Sequence, residues 1–494
     1  MRSSFLIRRI FVFLVLSTSL LVWSEFEHIN AGPQSGELFV PLAMMRQADT
    51  YTDPGVLRVR YVDFDFELLS DSRVLGQTRS FGPIFLQLNL FPDAMLTAVY
   101  ERTVPSRGGF TWIGQVDQVE QSSVILVVRD GVMSGSITLP WTAYQIRYTP
   151  HGVHAIYEVD RSAYPPESEP IPVFPEPSRD AAPVSASDDG TLFDLMVVYT
   201  EAARVGAGST AAIETLIQLG VTETNIAYQN SEITPRLRLV HMQEVDYTEH
   251  SSASTNLSRL RNTSDGFMDE VHTLRNSSGA DLVKLITNGP SGFCGVAYLM
   301  SGNNSGFATS AFSVTRRTCV SPNYTFEHEI GHNLGCNHAP EDPVGTGAFP
   351  YSFAYKDPGS EFRTIMAYNS GCSCPRVLYH SNPDVNRNDL PTGTSSQNNA
   401  LSINNVSTTV ANFRESTIHT LFLPVVKKSN APASPSNLQN HQTWVIHSTD
   451  GGLTFDRGER LLFEKTSVPG AIHLPEGRIV LAFVDAAQRE VSFW

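Results

Sequence analysis

Thr325-Phe326-Glu327-His328-Glu329-Ile330-Gly331-His332-Asn333-Leu334-Gly335-Cys336-Asn337-His338 is the stretch from which the rest of the chain is read. On a helix, His328 and His332 stand one turn apart on one face, so both imidazoles can reach a single ion. Glu329 lies beside them, placed to touch water at the metal without ligating it. Gly335 predicts the helix end, because a residue of positive φ costs least as glycine. The chain then turns back and delivers His338 as a third nitrogen ligand. Three protein ligands leave one position of a zinc ion open, which marks a catalytic rather than a structural site. Cys336 is expected in a disulfide, since a thiolate ligand would close that position. HExxHxxGxxH fixes five positions, and chance produces it in a chain this long about once in ten thousand. Glu327 is expected to face solvent or cap the helix. His241, His272 and His380 are read as packing or surface histidines.

Downstream stands Thr364-Ile365-Met366-Ala367-Tyr368. With the extended histidine motif before it, this resembles the Met-turn of metzincins, and the region 191–415 resembles bacterial reprolysin-like members of that group. The resemblance implies a zinc metalloendopeptidase that hydrolyses peptide bonds, with His328, His332 and His338 on the metal and Glu329 as general base. It also implies that Met366 lies under the zinc. Tyr368 matches the spacing at which astacins and serralysins bring a tyrosine hydroxyl to the zinc or the oxyanion; a packed tyrosine is the alternative. Residues 379–383, Tyr-His-Ser-Asn-Pro, resemble the segment that walls the pocket for the residue after the scissile bond. One departure is plain: Ala339 follows the third histidine, where adamalysins and reprolysins usually carry aspartate. A cysteine-switch latency like that of matrix metalloproteases is excluded, because no cysteine precedes Cys294.

Working outward, strands are expected at 193–199, 236–245 and 282–286, and helices at 209–228, 257–274 and 399–413, from β-branched runs and 3.6-residue periodicity. The alternation predicts an α/β layer, and the resemblance makes it a metzincin catalytic domain: a twisted mixed sheet carrying the zinc-binding helix. An extended substrate would pair with an edge strand near 295–299 or 307–314. Residues 32–161 are β-like throughout, with a turn signal at Arg129-Asp130-Gly131 between two apolar runs, and are read as a β-rich propeptide. The Pro/Ser/Asp-rich stretch 162–190 is read as an exposed linker, the place to cut. A second linker is expected at 416–440. The tail 441–494 is read as a small β appendage, and its Ser448-Thr449-Asp450-Gly451-Gly452-Leu453-Thr454-Phe455 resembles an Asp-box, which could mark part of a propeller.

The 494 residues, 41% hydrophobic and 17% charged, are ordinary for folded protein. Arg2, Arg8 and Arg9 before an apolar run at 10–23 predict a signal peptide over 1–31 and hence a secreted protein, with no membrane span after its removal. The net charge of −15 with no long basic run excludes nucleic acid as the expected partner. Protein or peptide is the expected substrate. Two rival functions remain at this level: a catalytically silent zinc fold that only binds, and a glycan-directed protein suggested by the Asp-box. The sequence does not give an oligomeric state or a disulfide pairing.

Overall fold

A computed structural model describes residues 36–42, 55–69, 83–106, 108–174, 188–289 and 292–417, together with the backbone of short strands in the tail. The signal segment, residues 175–187 and Asp-box residues 449–455 lie outside the described residues.

Alternating apolar residues make the amino-terminal region a nine-stranded antiparallel sheet. It runs from Phe39–Pro41 at one edge to Phe85–Phe91 at the other. The two edges meet: Leu38 N–H donates to Gln87 O at 3.1 Å and Phe39 N–H to Asn89 Oδ1 at 2.9 Å, closing the sheet into a barrel-like form. The strand Ser123–Arg129 shows how its two-residue period is used. Val124, Leu126 and Val128 fill the interior, while Ile125 and Val127 join the core of the following domain.

That domain is built on a six-stranded mixed sheet. Leu192–Thr200 pairs in parallel with Arg236–Val245 on one side and Leu282–Thr287 on the other; Phe312–Arg316 follows in parallel, and Gly295–Met300 adds antiparallel. The expected strands are present within a residue or two. The long helix Thr210–Asn230 starts where the Ser209 hydroxyl accepts the Ala212 N–H. Most of its faces are buried, because one side packs on the domain's own sheet and the other on the barrel strands Ser123–Arg129 and Val132–Thr138. The helix expected over 257–274 is two helices, Ala253–Arg261 and Glu270–Ser278. Thr-Ser-Asp-Gly breaks it: Gly266 has φ +83°, and the Asn262 and Asp265 side chains accept the N–H groups of Ser264 and Phe267. The last helix, Asn399–Val410, stops three residues short of the expected end.

Two further expectations change. The first part of the proline-rich stretch is docked rather than free: Ile171–Val173 forms a sixth strand, parallel to Gly295–Met300, and Tyr164 and Glu167 are buried. Prolines lower the cost of ordering an extended segment, so a composition that reads as linker also suits a strand at a sheet edge. Cys336 is a buried free thiol, since the other four cysteines pair as Cys294–Cys319 and Cys372–Cys374. In the tail only short β pairings and a three-stranded sheet at 470–493 are described. Among the described residues no helix is long and apolar enough to cross a membrane.

Candidate active site

The helix Thr325–Asn333 is buried along its whole length, wedged between the long helix and the strands Gly295–Met300 and Phe312–Arg316. It ends as expected at Gly335, whose φ is +77°. Cys336 N–H donates to Gly331 O at 2.9 Å and Gly335 N–H to His332 O at 3.0 Å, a Schellman turn. Any Cβ at Gly335 would stand 2.3 Å from the Ala348 Cβ, so the tight return needs glycine twice over. Asn337 then fixes the returning chain by accepting from His338 N–H at 2.8 Å and donating to Val344 O at 3.1 Å.

This return brings the three histidines together. The Nε2 atoms of His328, His332 and His338 lie 3.1 to 3.3 Å from one another. His328 Nδ1 is 3.0 Å from Ile365 O, and His332 Nδ1 is 2.9 Å from Cys336 O. A carbonyl can only accept, so each Nδ1 carries the proton and each Nε2 presents a lone pair. Burial holds all three imidazoles well below their ordinary pKa and keeps them neutral. Two of the buried imidazoles have carbonyl-fixed tautomers, and their lone pairs converge with the His338 nitrogen, a donor set that fits a zinc-type ion.

Beneath them the turn Thr364–Tyr368 closes with Ala367 N–H on Thr364 O at 3.0 Å. Met366 presses on the helix so closely that a Cβ at Gly331 would sit 2.4 Å from its sulfur. The Tyr368 ring packs on His338, centroids 3.9 Å apart, and its buried hydroxyl has no partner. Burial and nearby carboxylates push that phenol far up, so it is a donor at any working pH. Glu329 is fully buried, outside the histidine cluster, with both oxygens unpartnered. Burial and then the Glu167 charge push its carboxyl well above the usual range. Room for Glu329 comes from Gly295, where a Cβ would meet Oε1 at 2.6 Å.

Residues 191–390 match the family model described as metallo-peptidase family M12B, reprolysin-like. A peptidyl-Asp metalloendopeptidase of Stenotrophomonas maltophilia R551-3 is 36% identical over 304 residues, 59% of this chain and 71% of the relative. That of strain K279a is 34% identical over 332 residues, covering 62% and 78%. A third, from Xanthomonas campestris pv. campestris, is 34% identical over 301 residues, covering 59% and 70%. The chain belongs to the reprolysin-like metallopeptidases. It is accordingly a metalloendopeptidase with a three-histidine metal centre, acting on proteins.

Glu327 of this reprolysin-like chain sits elsewhere than expected, and His380 packs as read. Glu327 is buried, not solvent-facing, and its Oε1 lies 2.5 Å from His380 Nε2. Burial pushes the Glu327 carboxyl up, and the bond to His380 opposes it. His380 also meets the Tyr228 ring edge-on, so this histidine is part of the helix's support. A further group of residues near the site has no local motif. Glu167, from the amino-terminal segment, accepts from Arg376, Thr325 and Asn323. Burial alone would raise its carboxyl, but the Arg376 guanidinium overcomes this and holds it well below the usual carboxylate range.

Proposed function

We propose that the chain is an exported zinc endopeptidase that cuts proteins at aspartyl residues, with His328, His332 and His338 holding the metal, Glu329 as general base and Tyr368 as oxyanion donor. The observation that supports it most is the convergence of three lone-pair nitrogens beside a carboxylate with nothing bound to it. Zinc in that position supplies Lewis acidity, polarising the scissile carbonyl and making water acidic enough to react near neutral pH. A cation on the three histidines would oppose the upward push of burial and keep Glu329 ionised, so that Glu329 accepts the proton of the attacking water and returns it to the leaving amine. Glu329 is fully shielded from bulk solvent, where charge interactions are stronger than in water. Tyr368 donates its free hydroxyl to the oxygen that gains charge at the tetrahedral stage. The preference for aspartate is taken from what the relatives are called. Export is supported by the basic-then-apolar start of the chain and by two disulfides, which suit an oxidising compartment.

Casein digestion with and without a chelator tests the reading. Hydrolysis that stops on metal removal and returns with stoichiometric zinc is expected. Full hydrolysis by protein shown to be metal-free would sink it, and casein binding without any cleavage would favour the silent binding module.

A further inference from the structure

Beside the histidine helix, two oppositely charged side chains from distant parts of the chain are buried against each other. Glu167 is 2% exposed and Arg376 3%. Arg376 grips the carboxylate with both arms, Nη1 to Oε1 at 2.6 Å and Nη2 to Oε2 at 3.1 Å. Thr325 Oγ1 adds a donor at 2.9 Å and Asn323 Nδ2 one at 3.4 Å. Arg376 is itself fixed by the carbonyls of Asn323, at 2.8 Å, and Ala367, at 3.3 Å. Thr325 precedes His328 by one helical turn, and Ala367 stands between Met366 and Tyr368. The pocket is therefore walled by the two elements that also build the metal centre.

The carboxylate in it does not belong to the catalytic domain. Glu167 lies in the segment that runs along the sheet edge: Cys294 N–H donates to Pro166 O at 2.9 Å, Ser168 N–H to Gly295 O at 2.8 Å, and Ser301 N–H to Val173 O at 3.2 Å. If that segment leaves, Arg376 remains in its pocket with its carbonyl partners but no anion. A buried guanidinium without a counter-charge is strongly unfavourable, and the two-armed geometry suits a carboxylate far better than an amide.

We propose that Arg376, with Thr325 and Asn323, binds the acidic side chain of the substrate, and that Glu167 is the chain's own occupant of that pocket, filling it until the segment is removed. This rests on the reading of the chain as an aspartate-directed endopeptidase. Specificity and latency then share one receptor. The plug is a carboxylate because the substrate is one, and no cysteine is needed in the propeptide.

The test uses zinc-loaded enzyme, expressed as the full chain and matured, on quenched peptides that differ only in carrying Asp, Asn or Ala at one position. Wild type is expected to favour Asp over Asn by about 100-fold or more in kcat/KM, as for a site built around a buried polar group. Arg376→Gln should bring that ratio below about tenfold, and Arg376→Lys should fall between, since lysine keeps the charge and loses the fork. The ratio is the readout, whatever the absolute rates. No preference for Asp in wild type overturns the aspartate-directed reading itself. A preference kept intact in folded, zinc-replete Arg376→Gln overturns the pocket while leaving that reading standing. A second arm needs no folding of an Arg376 variant. In full chain carrying Glu329→Gln, which cannot cut itself, Glu167→Gln should speed hydrogen exchange of the Cys294 and Ser301 amides about tenfold or more and let the Asp peptide, but not the Asn peptide, bind. Unchanged exchange with no gain of Asp-peptide binding overturns the inference.

Discussion

Glu329 and His328 are neighbours in sequence with different proposed roles, and single substitutions should separate them. Glu329→Gln keeps the size and an acceptor oxygen but cannot take a proton. Turnover on casein should fall about 10²–10⁴-fold, while zinc content by elemental analysis stays at wild-type level, because Glu329 lies outside the histidine cluster. His332→Ala should instead lose both zinc and thermal stability, since it removes a ligand and leaves its carbonyl partner, Cys336 O, unmet. Near-wild-type digestion by Glu329→Gln protein free of contaminating protease would show that the reaction happens elsewhere. Tyr368 is the companion case. Its hydroxyl has no partner in the resting chain, so Tyr368→Phe leaves no orphan behind and costs only what the hydroxyl does in the transition state. A fall of about 10- to 1000-fold in kcat with little change in KM is expected; an unchanged kcat would make it a packing residue.

Elements position these side chains by close approach, and glycines mark where. Gly295 sits on the strand facing the base, where a methyl group would meet Glu329 Oε1 at 2.6 Å and its Cγ and Thr325 Cγ2 at 2.8 Å. Gly295→Ala should thus push the base aside, lowering kcat at least about tenfold with zinc retained and a destabilisation of roughly 1–3 kcal/mol; wild-type kcat would mean that the strand does not set the position of Glu329. The motif announces its helix, its stop at Gly335 and the return of His338 to the other two histidines, because all of that is local and periodic. The strands 192–200 and 236–245 were equally legible from their apolar runs. What failed was non-local. Nothing near Arg376 in sequence signals a carboxylate partner 209 positions away, and nothing near Glu327 signals His380. Gly295 looks like any glycine until the helix lies across it. The proline-rich stretch reads as an exposed linker, yet its first part is docked, since composition tells that a segment cannot make its own core but not that it can borrow the edge of another.

At the scale of the whole molecule the barrel and the catalytic domain share a core. Ile125, Val127 and Val132 pack with the long helix, Arg129 pairs with Glu214 at 2.6 Å, and the Ser134 and Thr215 hydroxyls meet at 2.8 Å. Glu223, on the same helix, accepts from Ser321 Oγ at 2.6 Å and is pushed by burial from 4.5 up to about 8. Between those values the folded chain keeps a proton that the unfolded chain has released, so this group's contribution becomes less favourable as pH rises from 4.5 to about 8. Glu223→Gln keeps the acceptor and removes the titration. Its melting temperature should match wild type near pH 4.5 and exceed it progressively toward pH 8; parallel melting profiles for the two proteins would refute the assignment. The shared core also bears on maturation. A cut between residues 162 and 190 breaks the chain but removes none of these contacts, and the strand Ile171–Val173 still covers the sheet edge if the cut falls after it. We therefore expect the secreted mature protein to begin between Ser162 and Thr191, and the freshly cut barrel to stay bound, co-eluting in size exclusion at neutral pH. Where the cut falls after Glu167, hydrolysis should rise when the barrel is released or digested rather than when the bond is cut. Activity that appears in step with the cleavage itself, with both pieces still in one peak, would show that the segment does not block the cleft.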